Sequence, residues 1–417
     1  MSIETHVFSS ERRKLIEDFG NGTLKGDVGT IRRLWTKYSS DLQDARGIFV
    51  VNSPAFPRLP IPGDKDFGSA GFLRCWMAGD RLILVREGSD DFRFSSPIFC
   101  DTNFVSLCGA FQAGRDLGSL AAAFKDAVKF LLPNAGMLNA YPYLLETARN
   151  QDREKVRASL FGFACLKLTS APLFSDTGRF VTQADGVSAD EVADEAMRVT
   201  AGADFALLSG WAANRFLWAK VILTKAALIA FAMPSASAGA RLYELLQFLH
   251  DRLARLPQFE IYAAFRFFEL SPREPFFDPV QRNSRKLQSS LRAMAWDIAH
   301  WRTVLEILTV ESWRSAGFPF PIPHFLSFDQ RYVQLLESFQ FYGLIYDVAH
   351  RRPEFFFRRS LLEPVSALLQ TSCARFYSTE LAAERSSRAK LEHDLEKKLE
   401  IVSTELELEL NELLPDR

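Results

Sequence analysis

Cysteine is scarce in this chain of 417 residues: there are five, at positions 75, 100, 108, 165 and 373, with no CxxC pair among them. That excludes a disulfide scaffold or a zinc finger and leads us to expect buried free thiols in a reducing compartment. The six histidines are scattered, and no HExxH motif occurs. P-loop, GxGxxG and GxSxG segments are also missing, which removes the common phosphate-cradling loops and the strained serine elbow. Neither sign of charge dominates, with 50 Lys+Arg against 51 Asp+Glu and a net charge of −1. This balance excludes a uniformly cationic nucleic-acid coat but leaves room for a local basic groove. Uninterrupted apolar runs are short as well. The most apolar stretch, FLWAKVILTKAALIAFAM (Phe216 to Met233), carries Lys220 and Lys225. A membrane span tolerates two central lysines poorly, so we expect a buried helix and no membrane partner. The opening MSIETHVFSSERRKLIEDFG is charged and lacks a signal peptide's apolar centre, so a cytoplasmic location is expected.

What the chain does have is length, aromatic mass and helical periodicity. It is too long for one ordinary core and suits two or three domains, or one domain with a large insertion. Its 37 phenylalanines, some clustered at Phe265, Phe267, Phe268 and Phe355 to Phe357, suit helix packing. Residues 1–94 read as an extension of mixed helix and loop, with helices near Glu11–Phe19 and Val28–Lys37, a Pro- and Gly-rich loop (NSPAFPRLPIPGDKDFG) and a strand-like RLILVREG. Helical spacing follows at Leu120, Phe124, Val128 and Leu131, and GMLNAYPYLLETARN reads as another helix. Residues 151–284 look almost wholly helical. After 285 a long helix leads through GFPFPIP to a short apolar HFLSFD and a further helix, QRYVQLLESFQFYGLIYDVAHR, which is the order of an α/β unit. In the C-terminal region 351–417, the leucines at 391, 395, 399, 406, 410 and 413, with Val402, approximate a heptad seam. That seam could serve a dimer, a partner protein or the chain's own body.

Four acids stand where chemistry would need them. Asp101 ends the apolar run SPIFC and is followed by Thr102 and Asn103. Glu146 lies in YPYLLETA, Asp297 in the apolar helix AMAWDIAHWR, and Asp329 ends HFLSFD, two residues after Ser327. Asp101 and Asp329 could simply cap turns and helices. Yet a carboxylate past a strand's end sits where open α/β sheets place ligand sites. One inside an apolar helix needs a partner. Hard Mg2+ or Mn2+ ions take carboxylate oxygens, and two ions about 4 Å apart can activate a water and stabilise a leaving oxygen.

IFCDTNFVSL resembles the opening strand of PIN-like nucleases, in which a strand delivers Asp, then Thr or Ser, then Asn. AMAWDIAHWR…HFLSFDQRYVQLL is similar to that family's closing half, and LNAYPYLLETA to the helix that supplies its glutamate. The resemblance covers roughly residues 95–150 and 285–345. It implies a three-layer α/β/α core with a central parallel sheet, split into segments 95–150 and 285–350 by a large mainly helical insertion and followed by a C-terminal helix. It gives Asp101, Glu146, Asp297 and Asp329 the catalytic and metal-holding roles, with Thr102, Asn103 and Ser327 in support. The implied activity is metal-dependent hydrolysis of a phosphodiester, in RNA more than DNA. Because Glu146 and Asp297 lie so far apart in the chain, Asp194 or Glu195 could compete for the glutamate role. Arg282, Arg285, Lys286 and Arg292, leading into the Asp297 helix, are candidate phosphate contacts, as are Arg351, Arg352, Arg358 and Arg359 around PEFFF. His300, close to Asp297, is either a neighbour of the site or a packed histidine, and His324 reads as a surface residue. Two other classes stay open: a non-catalytic scaffold of the same fold acting as an interaction module, and a helical regulator with motifs by chance, which requires Asp101 and Asp329 to lie far apart.

Overall fold

Two short runs, Ile98–Cys100 and His324–Ser327, are buried at every position, and such segments need apolar cover on both faces. The computed structural model describes residues 10–23, 26–42, 45–51, 53–55, 65–66, 71–74, 82–86, 94–147, 152–181, 188–199, 203–270, 274–310, 320–339, 341–347, 352–357, 367–391 and 394–413. In chain order, α1 (Ser10–Thr23) and α2 (Val28–Lys37) precede the strands β1 (Ala45–Val50), β2 (Lys65–Asp66), β3 (Gly71–Arg74), β4 (Leu82–Arg86), β5 (Phe94–Ser95) and β6 (Ile98–Cys100). Then come α3 (Thr102–Gln112), α4 (Ala121–Leu131), β7 (Leu138–Asn139) and α5 (Tyr141–Thr147). A helical stretch follows: α6 (Arg153–Leu168), α7 (Ala171–Thr177), α8 (Ala189–Val199), α9 (Ala203–Ala232), α10 (Ala238–Phe248), α11 (Gln258–Leu270) and α12 (Leu287–Val310). The chain then passes through β8 (Phe320–Pro321), β9 (His324–Ser327), α13 (Gln330–Glu337), β10 (Phe341–Asp347) and β11 (Arg352–Phe357). It ends with α14 (Ala367–Ala374), α15 (Thr379–Lys390) and α16 (Leu395–Leu413).

The fold is mixed α/β and mostly helical. One sheet has the order β2-β3-β9-β6-β7, in which β6 runs parallel to both β9 and β7 while β2 and β3 join antiparallel. Strand alternation sends Phe99 and Phe325 to one face, against α9, α11 and α12, and Ile98, Cys100 and Leu326 to the other, against α3, α4 and α6. Helices thus cover both faces of the parallel strands. A second, antiparallel sheet, β11-β10-β1-β4, joins the N-terminal strands to strands from after residue 340. Its Phe49, Ile345 and Phe356 pack with Phe19 of α1 and Ile31 of α2, while Ile48 and Leu344 face the main core.

Several expectations change against these elements. The segment from Gly136 is a 3-10 turn and then strand β7; the helix starts only at Tyr141, whose N–H bonds to Asn139 Oδ1 at 2.7 Å. QRYVQLLESFQFYGLIYDVAHR is helical only through Glu337, and its aromatic and β-branched second half is β10. PEFFF belongs to strand β11, so the C-terminal region is not wholly helical, while the strand-like RLILVREG does form β4, one of several strands within residues 1–94. Arg351, Arg358 and Arg359, together with Cys75, lie outside the described residues. His324 is fully buried between β3 and β6, not on the surface. The helices between 151 and 284 share both large cores with the strands, and so are not set apart as an inserted body.

Two apolar-helix lysines find their explanation in the C-terminal helix. Lys220 pairs with Glu407 of α16 at 2.8 Å and Lys225 with Glu409 at 3.7 Å. Leu399, Val402, Leu406 and Leu410 are buried against the body, so the expected leucine seam is used within the chain. Among the described residues no helix is long and apolar enough to cross a membrane. The described cysteines, at 100, 108, 165 and 373, are free and buried.

Helices α3 and α6 cross at backbone contact distance. A Cβ on Gly162 would lie 2.3 Å from the Cys108 carbonyl oxygen, and one on Gly109 would lie 2.7 Å from Ser159 Cα. Because the obstacles are backbone, the helices themselves must separate to admit a methyl group. Gly162→Ala is therefore expected to destabilise the protein by about 1–3 kcal/mol, read by chemical denaturation, whereas Gly136→Ala, with open space around it, leaves the midpoint unchanged.

Candidate functional site

The carboxyl ends of β6 and β9 lie side by side, and each is followed within two residues by an acid that begins a helix. Asp101 is the N-cap of α3: its Oδ1 accepts from Phe104 N at 2.7 Å. Its Oδ2 accepts from the Ser327 hydroxyl at 2.7 Å and from Phe328 N at 3.0 Å. Ser327 Oγ in turn accepts from Asp329 N at 3.0 Å. One hydroxyl thus joins the Asp101 carboxylate to the Asp329 amide, and the wide separation of the two acids that the chance-motif reading requires is not what the structure has. Asp329 caps α13 through Arg331 N and Tyr332 N. The capping role and the site position therefore coincide in both residues.

Glu146 and Asp297 join from helices. The Thr102 hydroxyl donates to Glu146 Oε2, drawing α5 toward the start of α3. The Tyr332 hydroxyl donates to the backbone carbonyl of Asp297, tying α12 to α13. Further along α12, Arg302 pairs with Glu260 of α11 at 2.6 Å, both side chains 1% exposed, which fixes the helix against its neighbour. His300 Nε2 lies 3.8 Å from Glu146 Oε2, and burial lowers its pKa below the ordinary value, with Glu146 opposing, so it stands mainly as a neutral imidazole near the site. Asp194 pairs with Arg157 at 2.8 Å and Glu195 with Arg198 at 2.7 Å on α8, so their charges are used elsewhere.

Asp297 lies within reach of the charges of the other three acids. Burial holds the Asp297 carboxyl well above the usual carboxylate range, and the charges of Asp329, Glu146 and Asp101 push it further, with Arg331 opposing. Asp101 is pushed up to about 6, by burial first; its three hydrogen bonds pull the other way and Asp329 adds to the rise. Tyr332 is raised by burial and then by Asp297. Cys100, one residue before Asp101, is raised by burial and so stays a thiol. Among the described residues no three acidic, histidine or cysteine side chains close on a single point as they stand. The donor chemistry at the strand ends is all carboxylate and hydroxyl oxygen, which suits a hard divalent ion and not a thiophilic one.

Two cavities flank the acids. One, of about 470 Å3, is lined by Glu146 together with residues of α9, α12 and α16, among them Phe216, Arg292, Trp296 and Glu400. The other, of about 750 Å3, holds Asn103, Arg115, Lys155, Asp329 and Arg331. Of the expected phosphate contacts, Arg292 lines the first cavity. Arg285 and Lys286 precede α12, with Lys286 roughly 16 Å along the helix axis from Asp297, and Arg282 Nε reaches the Leu413 carbonyl at 3.3 Å. Arg115, Lys155 and Arg331 escaped the sequence reading. The spacing of Asn103, Ser106, Leu107 and Ala110 marks the helix face that lines their cavity, but nothing local pairs that face with Lys155.

Comparisons with protein-family models, curated proteins and solved structures found no match to this chain. The reading of the site accordingly rests on its residues and their geometry.

The carboxyl of Asp101 titrates at about 6 when folded against an ordinary 3.8. The folded state therefore binds the extra proton between those values, and its stability falls as pH rises from about 4 to about 6. Asp297, raised in the same direction, adds to the fall. Denaturation of the chelator-treated protein across this window is expected to show the decline, and Asp297→Asn to flatten it while stabilising the protein above pH 7. A wild-type profile that rises through this window would contradict the arrangement.

Proposed function

We propose that this protein is a metal-dependent nuclease of the PIN-like kind, hydrolysing phosphodiester bonds in RNA more than in DNA. The observation that carries the reading is the junction at the ends of β6 and β9, where the Ser327 hydroxyl joins the Asp101 carboxylate to the Asp329 amide and Thr102 holds Glu146 alongside, with the charges of all three acids bearing on Asp297 of α12. Clustered carboxylates weaken a fold unless something offsets their repulsion, and groups whose pKa values are pushed this far concentrate at functional sites. The parallel pairing of β6 with β9 and β7, with helices on both faces, supports the three-layer α/β/α reading.

In this proposal Asp101, Glu146, Asp297 and Asp329 hold Mg2+ or Mn2+. Such an ion, when bound, lowers the pKa of a water and neutralises charge on a phosphate. The chain's own residues set the stage for it. Ser327 and the Phe328 amide fix the Asp101 carboxylate, and Thr102 orients Glu146. Arg331 holds Asp329 through bonds of 3.2 and 3.1 Å, leaving a guanidinium at the rim of the second cavity. Arg115 and Lys155, both exposed on that cavity, are placed to meet the backbone of an incoming strand.

Labelled RNA and single-stranded DNA, incubated with Mg2+ or Mn2+, provide the test. Wild type is expected to cut RNA in a metal-dependent way, and Asp101→Asn and Asp329→Asn each to lose at least about 100-fold in rate, as expected when a group stabilising the transition state is removed. Folded wild-type protein that cuts neither substrate, or variants that cut as fast as the parent, would replace the enzyme with the interaction-scaffold reading.

A further inference from the structure

The 470 Å3 cavity beside Glu146 falls within the size range of small-molecule sites, roughly 300–1,000 Å3, and the four-acid arrangement leaves most of its lining unused. Its walls carry an aromatic pair from two different helices: Phe216 of α9 and Trp296 of α12 stack with centroids 4.6 Å apart and planes 25° from parallel. Arg292 sits with its guanidinium 5.9 Å from the Phe216 ring. Both rings are only partly buried, and Ser289, Arg292, Ala293 and Glu400 are exposed around the opening. Core packing alone does not require two rings and a guanidinium to line a space of this size.

We propose that this cavity is a nucleobase subsite, holding the base of a nucleotide next to the scissile phosphate of a single strand. The two cavities divide the labour. The one at Asp329 offers three cations, Arg115, Lys155 and Arg331, and suits phosphates. The one at Glu146 has one cation, Arg292, against two carboxylates, Glu146 and Glu400, and so does not suit a phosphate. What it offers is a stacked aromatic wall and acceptor oxygens, which match the flat face and the N–H edge of an unpaired base. Glu146 lines the first cavity and Asp329 the second, so a strand that places a base in the first and its backbone in the second meets two of the four acids. A paired base cannot enter, because its face is stacked and its edge engaged. Glu400 comes from α16, so the C-terminal helix completes the subsite.

The subsite's place next to a scissile bond rests on the nuclease reading, but its affinity for a base does not, and the two are tested separately. Binding of a labelled octamer of oligo(A) RNA is measured by anisotropy with chelator present, against an abasic strand of equal length and charge. Wild type and Asp101→Asn are both expected to favour the base-bearing strand by at least about fivefold, in line with the affinity that stacking of a base on an aromatic side chain supplies. Ala293→Trp, which fills the opening from an exposed position, and Phe216→Leu are expected to remove that preference while leaving abasic-strand binding unchanged. Arg292→Gln, also exposed, serves should either variant fail to fold, and is likewise expected to remove the preference for the base-bearing strand. Equal affinity for the two strands, including no binding to either, overturns the subsite, as does a preference that survives in all the folded variants. A base preference in a protein that cuts nothing retains the subsite and removes the nuclease reading; cleavage without base preference does the reverse.

Discussion

A buried carboxylate must be matched by donors, and Asp101 meets that constraint with groups drawn from widely separated parts of the chain. The Phe104 amide comes from its own helix, while the Ser327 hydroxyl and Phe328 amide lie more than 220 residues further on. Satisfying one side chain therefore aligns the end of β6 with the end of β9 and sets the starts of α3 and α13 beside each other. Shifting either strand by one residue would turn Phe99 or Phe325 to the wrong face and also remove the donors. Register, helix position and site geometry are thus a single constraint.

The same chain shows how it neutralises a buried acid when no further use is intended. Glu260 is fully buried and is met directly by Arg302. Lys220 and Lys225, in the most apolar stretch of α9, are each met by a glutamate of α16. At the strand ends the balance differs: three acids bear on Asp297, with Arg331 opposing them. Repulsion left in place at one site, where other buried charges are met by partners, is what the proposed binding of a cation there would offset.

The parts of this arrangement that local patterns encode were legible in the sequence. Asp101 and Asp329 each follow a short apolar run and precede a helix, so strand end, cap and candidate site could be read from about ten residues. Asp297 stood out because an acid within AMAWDIAHW must be accounted for. What could not be read depends on pairing between distant segments. FYGLIYD continues an apparently helical stretch but forms a strand, because β1, some 300 residues earlier, supplies its ladder. His324 looked exposed beside a proline turn, yet strands on both sides enclose it. The meeting of Phe216 with Trp296 has no local signature at all, since each residue reads as ordinary helix packing.

The long helical segment illustrates the limit of reading domains from composition. Its uniform helicity separates it from the flanking α/β pattern, which suggests an inserted body. Apolar contacts decide otherwise: α9 packs on α12, the helix that carries Asp297, and the α6 backbone touches α3, the helix that Asp101 caps. The helices are therefore part of what holds the acids in place. The C-terminal helix belongs to the same system, because its glutamates neutralise the lysines of α9 while its buried leucines close the core. A helix whose own packing fixes α9 also fixes Phe216, so the wall of the cavity beside Glu146 is set by contacts made along the length of α16 as well as by the residue it contributes, Glu400.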